Sequence, residues 1–250
     1  MHPLKRNFFL ILLAAVLALT KPAALFATYF GQVETGLQLV QENKKTGYFL
    51  YLPASFEQGK KWPLILAFAE WGPEHKKSFT EQWGTDAEKR GYVILCPDWW
   101  RSRGEVPEQG DKMVFKILDK VIRNHSIDAS RVLLTGFGDG ADYAFYLALR
   151  YPDRFAAVAP VGGGITPVYE NMISYRKVRG LPLPFLIING KQDVGLQDRQ
   201  LTLEDVKKGV DKLRQAELKV EYKEIEGLGH EYKRNFNKLI LDWFEGMKGK

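Results

Sequence analysis

Short apolar runs alternate with amphipathic helices along most of this chain, and this alternation constrains the fold more than any other feature. Each run is continuous, which is typical of strands buried on both faces of a sheet. The runs are Pro63–Ala69, Tyr92–Cys96, Val132–Thr135, Ala156–Val161 and Pro184–Asn189. Strands that alternate with helices predict right-handed crossovers. We therefore expect an α/β fold with a mostly parallel, twisted sheet of about eight strands and helices on both faces.

The remaining elements fit the same plan. Asp111–Asn124 carries its apolar side chains on one face, as a helix that covers a sheet does. Further helices are predicted at Ser78–Arg90, Ala141–Arg150, Leu201–Gln215 and Glu231–Phe244, and further strands at Leu37–Gln41, Tyr48–Leu52 and Lys219–Ile225. Residues 165–183 interrupt the rhythm, and we expect a small lid there. The rest of 28–250 is predicted to be a single domain.

Composition excludes several classes of protein. The chain has 250 residues, of which 45% are hydrophobic and 26% are charged, so it is not intrinsically disordered. One cysteine, Cys96, excludes a disulfide scaffold. The net charge is +6, but no run of five basic residues occurs, so we expect no nucleic-acid partner. His2, His75 and His125 do not cluster, and we expect neither a metal nor a cofactor.

The N-terminal segment has the pattern of an export signal. Lys5 and Arg6 precede an unbroken apolar run from Phe8 to Leu19, and a small residue, Ala27, marks a possible cleavage point. We expect residues 1–27 to be a signal peptide and the mature protein to be periplasmic or extracellular. The alternative is an uncleaved anchor, which would bring the protein to a membrane.

A glycine-rich turn follows the strand Val132–Thr135. It reads Gly136-Phe137-Gly138-Asp139-Gly140 and leads into a helix. A strand, a sharp turn with small residues two before and two after its apex, and a helix together form a nucleophile elbow. Gly136 and Gly140 are the small flanking residues. The apex is Gly138, where the G-x-S-x-G motif has its serine.

The stretch from Ile127 to Gly163 resembles the α/β-hydrolase superfamily. It is most similar to the secreted esterases grouped with polyhydroxyalkanoate depolymerases and feruloyl esterases. The residues that carry the resemblance are Asp128, Arg131, Val132, Gly136, Gly140, Pro152, Asp153 and Phe155. The resemblance extends over most of residues 46 to 245. The chain departs from the family pattern at Gly138.

The resemblance also implies roles for other residues. Residues 189–193 resemble the family's H-G-x-x-D segment, which implies that Asp193 is the triad acid. Residues 227–230 resemble its terminal Gly-His, which implies that His230 is the triad base. Ala69 and Glu70 stand where the His-Gly of the oxyanion loop would be. The backbone N–H groups of Glu70, Trp71 and Asp139 are the expected oxyanion donors. Whether the Glu70 carboxylate points into the site or to solvent is open at this point.

Other residues could replace the missing serine. Asp139 is the nearest, but an apex at Asp139 would put Phe137 at a flank that needs a small residue. Cys96 lies in a predicted strand and is interpreted as a small core residue. Ser102 follows Trp99 and Trp100, and nothing in the sequence positions it for catalysis. Three tryptophans that follow strands are candidates for a substrate-binding wall, namely Trp71, Trp99 and Trp100.

Two functions are consistent with these residues. The first is an exported, esterase-like protein with weak or absent serine-hydrolase turnover, because Gly138 has no hydroxyl. The alternative is an active carboxylesterase, feruloyl esterase or polyester depolymerase that uses a water activated by His230 and Asp193. In both cases the expected ligand is a small-molecule or polymeric ester, or a carbohydrate. A purely structural protein has no sequence feature in its favour.

Overall fold

The structure is a computed structural model that describes residues 32–41, 44–70, 73–99 and 107–247. Its strands are β1 (Gln32–Gln41), β2 (Lys44–Leu52), β3 (Trp62–Phe68), β4 (Val93–Pro97), β5 (Ile127–Phe137), β6 (Ala157–Val161), β7 (Phe185–Gly190) and β8 (Val220–Ile225). Its helices are α1 (Pro73–Arg90), α2 (Pro107–Asn124), α3 (Asp139–Arg150), α4 (Pro167–Glu170), α5 (Tyr175–Val178), α6 (Leu203–Gln215) and α7 (Asn235–Gly246).

All of these strands belong to one sheet with the order β1-β2-β4-β3-β5-β6-β7-β8. The pairs β1–β2 and β2–β4 are antiparallel, and every pair from β4 to β8 is parallel. The predicted fold class, a mostly parallel sheet of about eight strands, is confirmed. Because β3 to β8 run in one direction, the loops that follow them meet at one edge, where sheets of this kind bind their ligands.

Helices cover both faces of the sheet, as predicted. One face buries apolar side chains of α2, α3 and α6 against Leu64, Leu66 and Leu134. The other face buries α1 and α7 against Ile65 and Leu133. Consecutive residues of β3 therefore point into different apolar layers, which explains why the strand is a continuous apolar run.

Several elements differ from their predicted bounds, and β1, β2, α1 and α2 each begin four or five residues earlier than predicted. Strand β5 begins at Ile127, and its first residues, apart from Ile127 itself, are more exposed than the apolar run that follows. Helix α7 begins at Asn235 and not at Glu231, because the preceding residues form the loop that carries His230. The N–H groups of Phe236 and Asn237 open the helix by donating to the carbonyls of Lys233 and Arg234.

The predicted lid, residues 165–183, contains the two short helices α4 and α5. Tyr169 of α4 stacks on Tyr146 of α3 with ring centroids 4.7 Å apart. Glu170 pairs with Lys212 of α6. These contacts place the segment against two helices of the fold, and its role as a lid stays a prediction.

The predicted signal segment, residues 1–27, lies outside the described residues. None of the helices within the described ranges is long and apolar enough to cross a membrane.

Candidate active site

Residues from four distant parts of the chain meet at the carboxyl edge of the sheet. Glu70 follows β3, Gly138 follows β5, Asp193 follows β7 and His230 follows β8. The parallel order of these strands brings their following loops to one edge. The structure thus brings together the residues that the sequence analysis placed at the triad and oxyanion-loop positions.

Gly138 has the backbone of an elbow apex. Its φ is 57° and its ψ is −124°, and its N–H donates to the carbonyl of Val161 at 3.1 Å. A positive φ of this kind is strained for residues other than glycine. The turn therefore keeps the sharp geometry that would present a nucleophile, although Gly138 itself has no side chain.

The two flanking glycines make the elbow possible because they allow close backbone contacts. A Cβ on Gly136 would lie 2.3 Å from the carbonyl oxygen of Gly140, and a Cβ on Gly140 would lie 2.2 Å from that of Phe68. Both distances are far below van der Waals contact, and the opposing atoms belong to the backbone and cannot rotate away. Helix α3 therefore packs directly on β3 and β5.

We expect Gly136→Ala to destabilise the fold by at least about 2 kcal/mol, because the added methyl group overpacks a rigid contact. The free energy of unfolding, measured in urea, tests this expectation. Gly246→Ala is the matched control, because a Cβ there would meet no heavy atom within 4 Å apart from its chain neighbours and its own helix backbone. Equal effects of the two substitutions would show that Gly136 is not constrained by contact.

Asp193 holds His230 from one side. His230 Nδ1 lies 2.9 Å from Asp193 Oδ1 and 3.0 Å from Oδ2. The Asp193 side chain is 1% exposed, and its Oδ1 also accepts the N–H of Gly195 at 2.9 Å. Phe137 stacks on the imidazole with centroids 4.7 Å apart. The ring of His230 is therefore fixed in orientation.

Glu70 holds His230 from the other side. Its carboxylate points into the site, and Oε1 lies 2.8 Å from His230 Nε2. The same oxygen would lie 2.8 Å from a Cβ on Gly138. In a serine hydrolase, the base nitrogen bonds the nucleophile hydroxyl. In this protein, the carboxylate of Glu70 bonds His230 Nε2 in place of the nucleophile hydroxyl. The sequence left open whether this carboxylate points into the site or to solvent, and in the structure it points into the site.

The two carboxylates determine the protonation of His230. Ionised carboxylates accept hydrogen bonds and donate none, so both ring nitrogens must donate. The hydrogen bonds to Asp193 and Glu70 raise the pKa of His230 from 6.5 to about 9, while burial and the charge of Arg199 act in the opposite direction. The imidazole is thus a cation at neutral pH and has no lone pair with which to accept a proton.

Arg199 is a site residue that the sequence analysis missed. Its Nη1 would lie 3.3 Å from a Cβ on Gly138, so the guanidinium borders the same space as Glu70. Arg199 Nε lies 2.9 Å from Asp142 Oδ2, and Nη2 donates to the carbonyl of Gly162 at 2.7 Å. The only available signal was Asp142, an acidic residue in the apolar helix four positions after Gly138, which required a buried partner.

The structure corrects part of the prediction that three tryptophans bind the substrate. Trp99 is 1% exposed, its indole N–H donates to the carbonyl of Ala69 at 3.0 Å, and its ring stacks on Tyr143. Trp99 therefore lies in the core and does not face a ligand pocket, which corrects its predicted role. Trp71 and Trp100 lie outside the described residues.

The other candidates are placed as follows. Cys96 is fully buried in β4, as expected of a core residue. Asp139 is the first residue of α3, directly after the apex, and its role as an oxyanion donor stays a prediction. Ser102 lies outside the described residues. In the described part of the chain, no group of three His, Cys, Asp or Glu side chains has the arrangement of a metal site.

This sheet order, with an elbow after β5 and an Asp–His pair after the last two strands, defines an α/β-hydrolase fold. Several solved structures have the same fold. A ferulic acid esterase from Anaeromyces mucronatus matches with a TM-score of 0.66 at 19% identity, over 85% of this chain and 89% of its own. An S-formylglutathione hydrolase from Agrobacterium tumefaciens matches with a TM-score of 0.69 at 15% identity, over 86% and 95%.

Sequence comparisons show to which group within this fold the chain is similar. Residues 79–179, which include the elbow, match the family described as Esterase PHB depolymerase. A bifunctional acetylxylan esterase/xylanase from Neocallimastix patriciarum is 26% identical over 155 residues, 61% of this chain and 22% of its own. A poly(3-hydroxyalkanoate) depolymerase from Paucimonas lemoignei is 40% identical over 70 residues, 28% and 17%. This chain therefore spans about a fifth of each of these relatives. Together, the matches and the fold show that the chain is similar to the esterase group of the α/β-hydrolases.

Proposed function

We propose that this protein is an esterase-like member of the fold that binds a ligand at the former catalytic site without serine-hydrolase turnover. One observation carries the proposal: Glu70 Oε1 bonds His230 Nε2 at 2.8 Å, in the place of the nucleophile hydroxyl that Gly138 lacks. Acyl transfer needs a nucleophile and a base that can accept its proton. The apex has no hydroxyl, and the imidazole already holds two protons.

The alternative function, hydrolysis by an activated water, is opposed by the same geometry. A water would have to give its proton to His230 Nε2, but that nitrogen donates to Glu70. The pKa of His230, raised to about 9 by its two carboxylate partners, keeps the ring protonated at neutral pH. A general base is most effective when its pKa lies near the working pH and its lone pair is available.

We further propose that the protein is exported and that its ligand is an ester, the acid part of an ester, or a carbohydrate. The basic and apolar pattern of residues 1–27 supports export. The relatives, which include an acetylxylan esterase and a polyhydroxyalkanoate depolymerase, support the ligand class.

We expect the purified protein to hydrolyse p-nitrophenyl acetate and methyl ferulate no faster than its His230→Ala variant. We also expect paraoxon to leave no covalent adduct in an intact-mass measurement, because the elbow offers no hydroxyl to phosphorylate. Esterase 2 from Thermogutta terrifontis, a solved neighbour, is phosphorylated by paraoxon and serves as the positive control.

Two results would contradict the proposed function. Turnover that disappears in His230→Ala would support the activated-water mechanism. A paraoxon adduct on any serine would show that the nucleophile lies elsewhere than the elbow.

A further inference from the structure

The space above Gly138 already holds a carboxylate. The Glu70 oxygen that occupies it lies 2.8 Å from His230 Nε2, and Arg199 Nη1 borders the same space. A protonated imidazole and a guanidinium that converge on one volume are the donors that a carboxylate prefers. The position of Glu70 therefore indicates that this volume accepts a carboxylate group.

Gly138 leaves room for the Glu70 carboxylate at this position. A Cβ at position 138 would lie 2.8 Å from the Glu70 oxygen, which is closer than real Cβ atoms approach oxygen. A serine or an alanine at the apex would force the carboxylate to shift from its present position. The glycine thus removes a nucleophile and, with the same change, makes room for an anion.

The two cations are held by buried partners, whereas the internal carboxylate is partly exposed. Arg199 is 9% exposed and is held by Asp142 and the carbonyl of Gly162. His230 is held by Asp193, which is 1% exposed. The Glu70 side chain is 30% exposed, so it is less desolvated than Arg199, His230 or Asp193. A site whose donors are held rigidly in this way is preorganised for a carboxylate ligand.

We propose that the space between His230, Arg199 and Gly138 is a receptor for the carboxylate group of an organic monocarboxylic acid, and that the ligand displaces Glu70 when it binds. The inference rests on the proposed function and names its ligand as the acid part of an ester. Asp142 and Asp193 stay paired with their cations in both states. The incoming carboxylate replaces Glu70 charge for charge, so His230 keeps its proton.

Benzoate and methyl benzoate test this proposal, because they share a ring and differ in the carboxylate charge. Calorimetric titrations of the full-length protein and of Glu70→Ala measure both affinities. We expect benzoate to bind both proteins saturably, at least about tenfold more tightly to Glu70→Ala, because the variant has no internal competitor. Methyl benzoate should bind Glu70→Ala at least about tenfold more weakly than benzoate does, since it offers no charge to the two cations.

Two further variants make the test specific. Glu226→Ala is the matched control, because it removes a carboxylate whose partner is Lys191 on the surface, and it should bind benzoate as the unmodified protein does. His230→Gln in the Glu70→Ala background should lose the preference for benzoate. Circular dichroism of each variant verifies that it is folded.

The outcomes separate this inference from the proposed function. Equal binding of benzoate and methyl benzoate to Glu70→Ala, or no binding of either, would overturn the carboxylate receptor and leave the proposed function standing. Binding to Glu70→Ala but not to the unmodified protein would overturn the displacement of Glu70. Hydrolysis of methyl benzoate by the unmodified protein, lost in His230→Ala, would instead overturn the proposed function.

Discussion

Gly138→Ser alone should leave the protein without measurable ester hydrolysis, whereas Gly138→Ser combined with Glu70→Gly should hydrolyse p-nitrophenyl acetate. The serine Cβ would lie 2.8 Å from Glu70 Oε1, so the carboxylate obstructs the new side chain. It also occupies His230 Nε2, which the serine hydroxyl must reach. Glycine at position 70 removes both obstacles, and it restores the residue that the family pattern has there.

The geometry around the apex supports the expected gain. A Cβ on residue 138 would lie 3.2 Å from His230 Nε2, which places a hydroxyl on that carbon within hydrogen-bond reach. Loss of the Glu70 hydrogen bond should lower the pKa of His230 and free a lone pair. We expect the double variant to exceed the unmodified protein by at least about 100-fold in kcat/KM, since a complete triad contributes considerably more in efficient hydrolases.

Control variants test whether the gain in activity depends on removal of the Glu70 side chain. Addition of His230→Ala to the double variant should return the rate to background. Glu70→Gly alone should stay inactive, because it has no nucleophile. If Gly138→Ser alone were as active as the double variant, Glu70 would not obstruct the nucleophile position.

The stability of the protein should fall as the pH rises through about 9. The pKa of His230 is raised to about 9 in the folded protein by Asp193 and Glu70, against an ordinary value of 6.5. The folded state therefore binds this proton more tightly than the unfolded state. The resulting stabilisation is fully present below about pH 6.5 and is lost as the pH rises through about 9. Its upper bound is about 3 kcal/mol, from 1.36 kcal/mol for each pH unit of difference.

Urea unfolding of the unmodified protein and of His230→Gln measures this contribution. The difference in their free energies of unfolding should be larger near pH 6 than near pH 10 by about 2–3 kcal/mol. The imidazole signals of His230 in an NMR titration report its pKa directly. Glu70→Gln should lower that pKa, because it replaces a charged acceptor with a neutral one. A midpoint near 6.5 in the unmodified protein would show that the two carboxylates do not hold the proton.

Much of the fold was predictable from local patterns. Continuous apolar runs such as Pro63–Ala69 are strands buried on both faces, and the alternation with helices implies parallel pairing. One of the bounds that failed lies where a loop carries a site residue. Helix α7 begins at Asn235 because the residues before it carry His230, and periodicity alone does not show where such a loop ends.

The sequence by itself determined that Gly138 stands at an elbow apex, that Asp193 and His230 follow neighbouring strands, and that the apex residue has no hydroxyl. Only the tertiary structure decided the direction of the Glu70 side chain and the presence of Arg199. Glu70 and His230 are 160 positions apart, and their hydrogen bond depends on how strands β3, β5 and β8 are arranged across the sheet. The order of strands and helices along the chain predicts which residues lie at the carboxyl edge of the sheet. Which charged side chains pair at that edge depends on distances between atoms in the folded protein, because electrostatic attraction falls with distance.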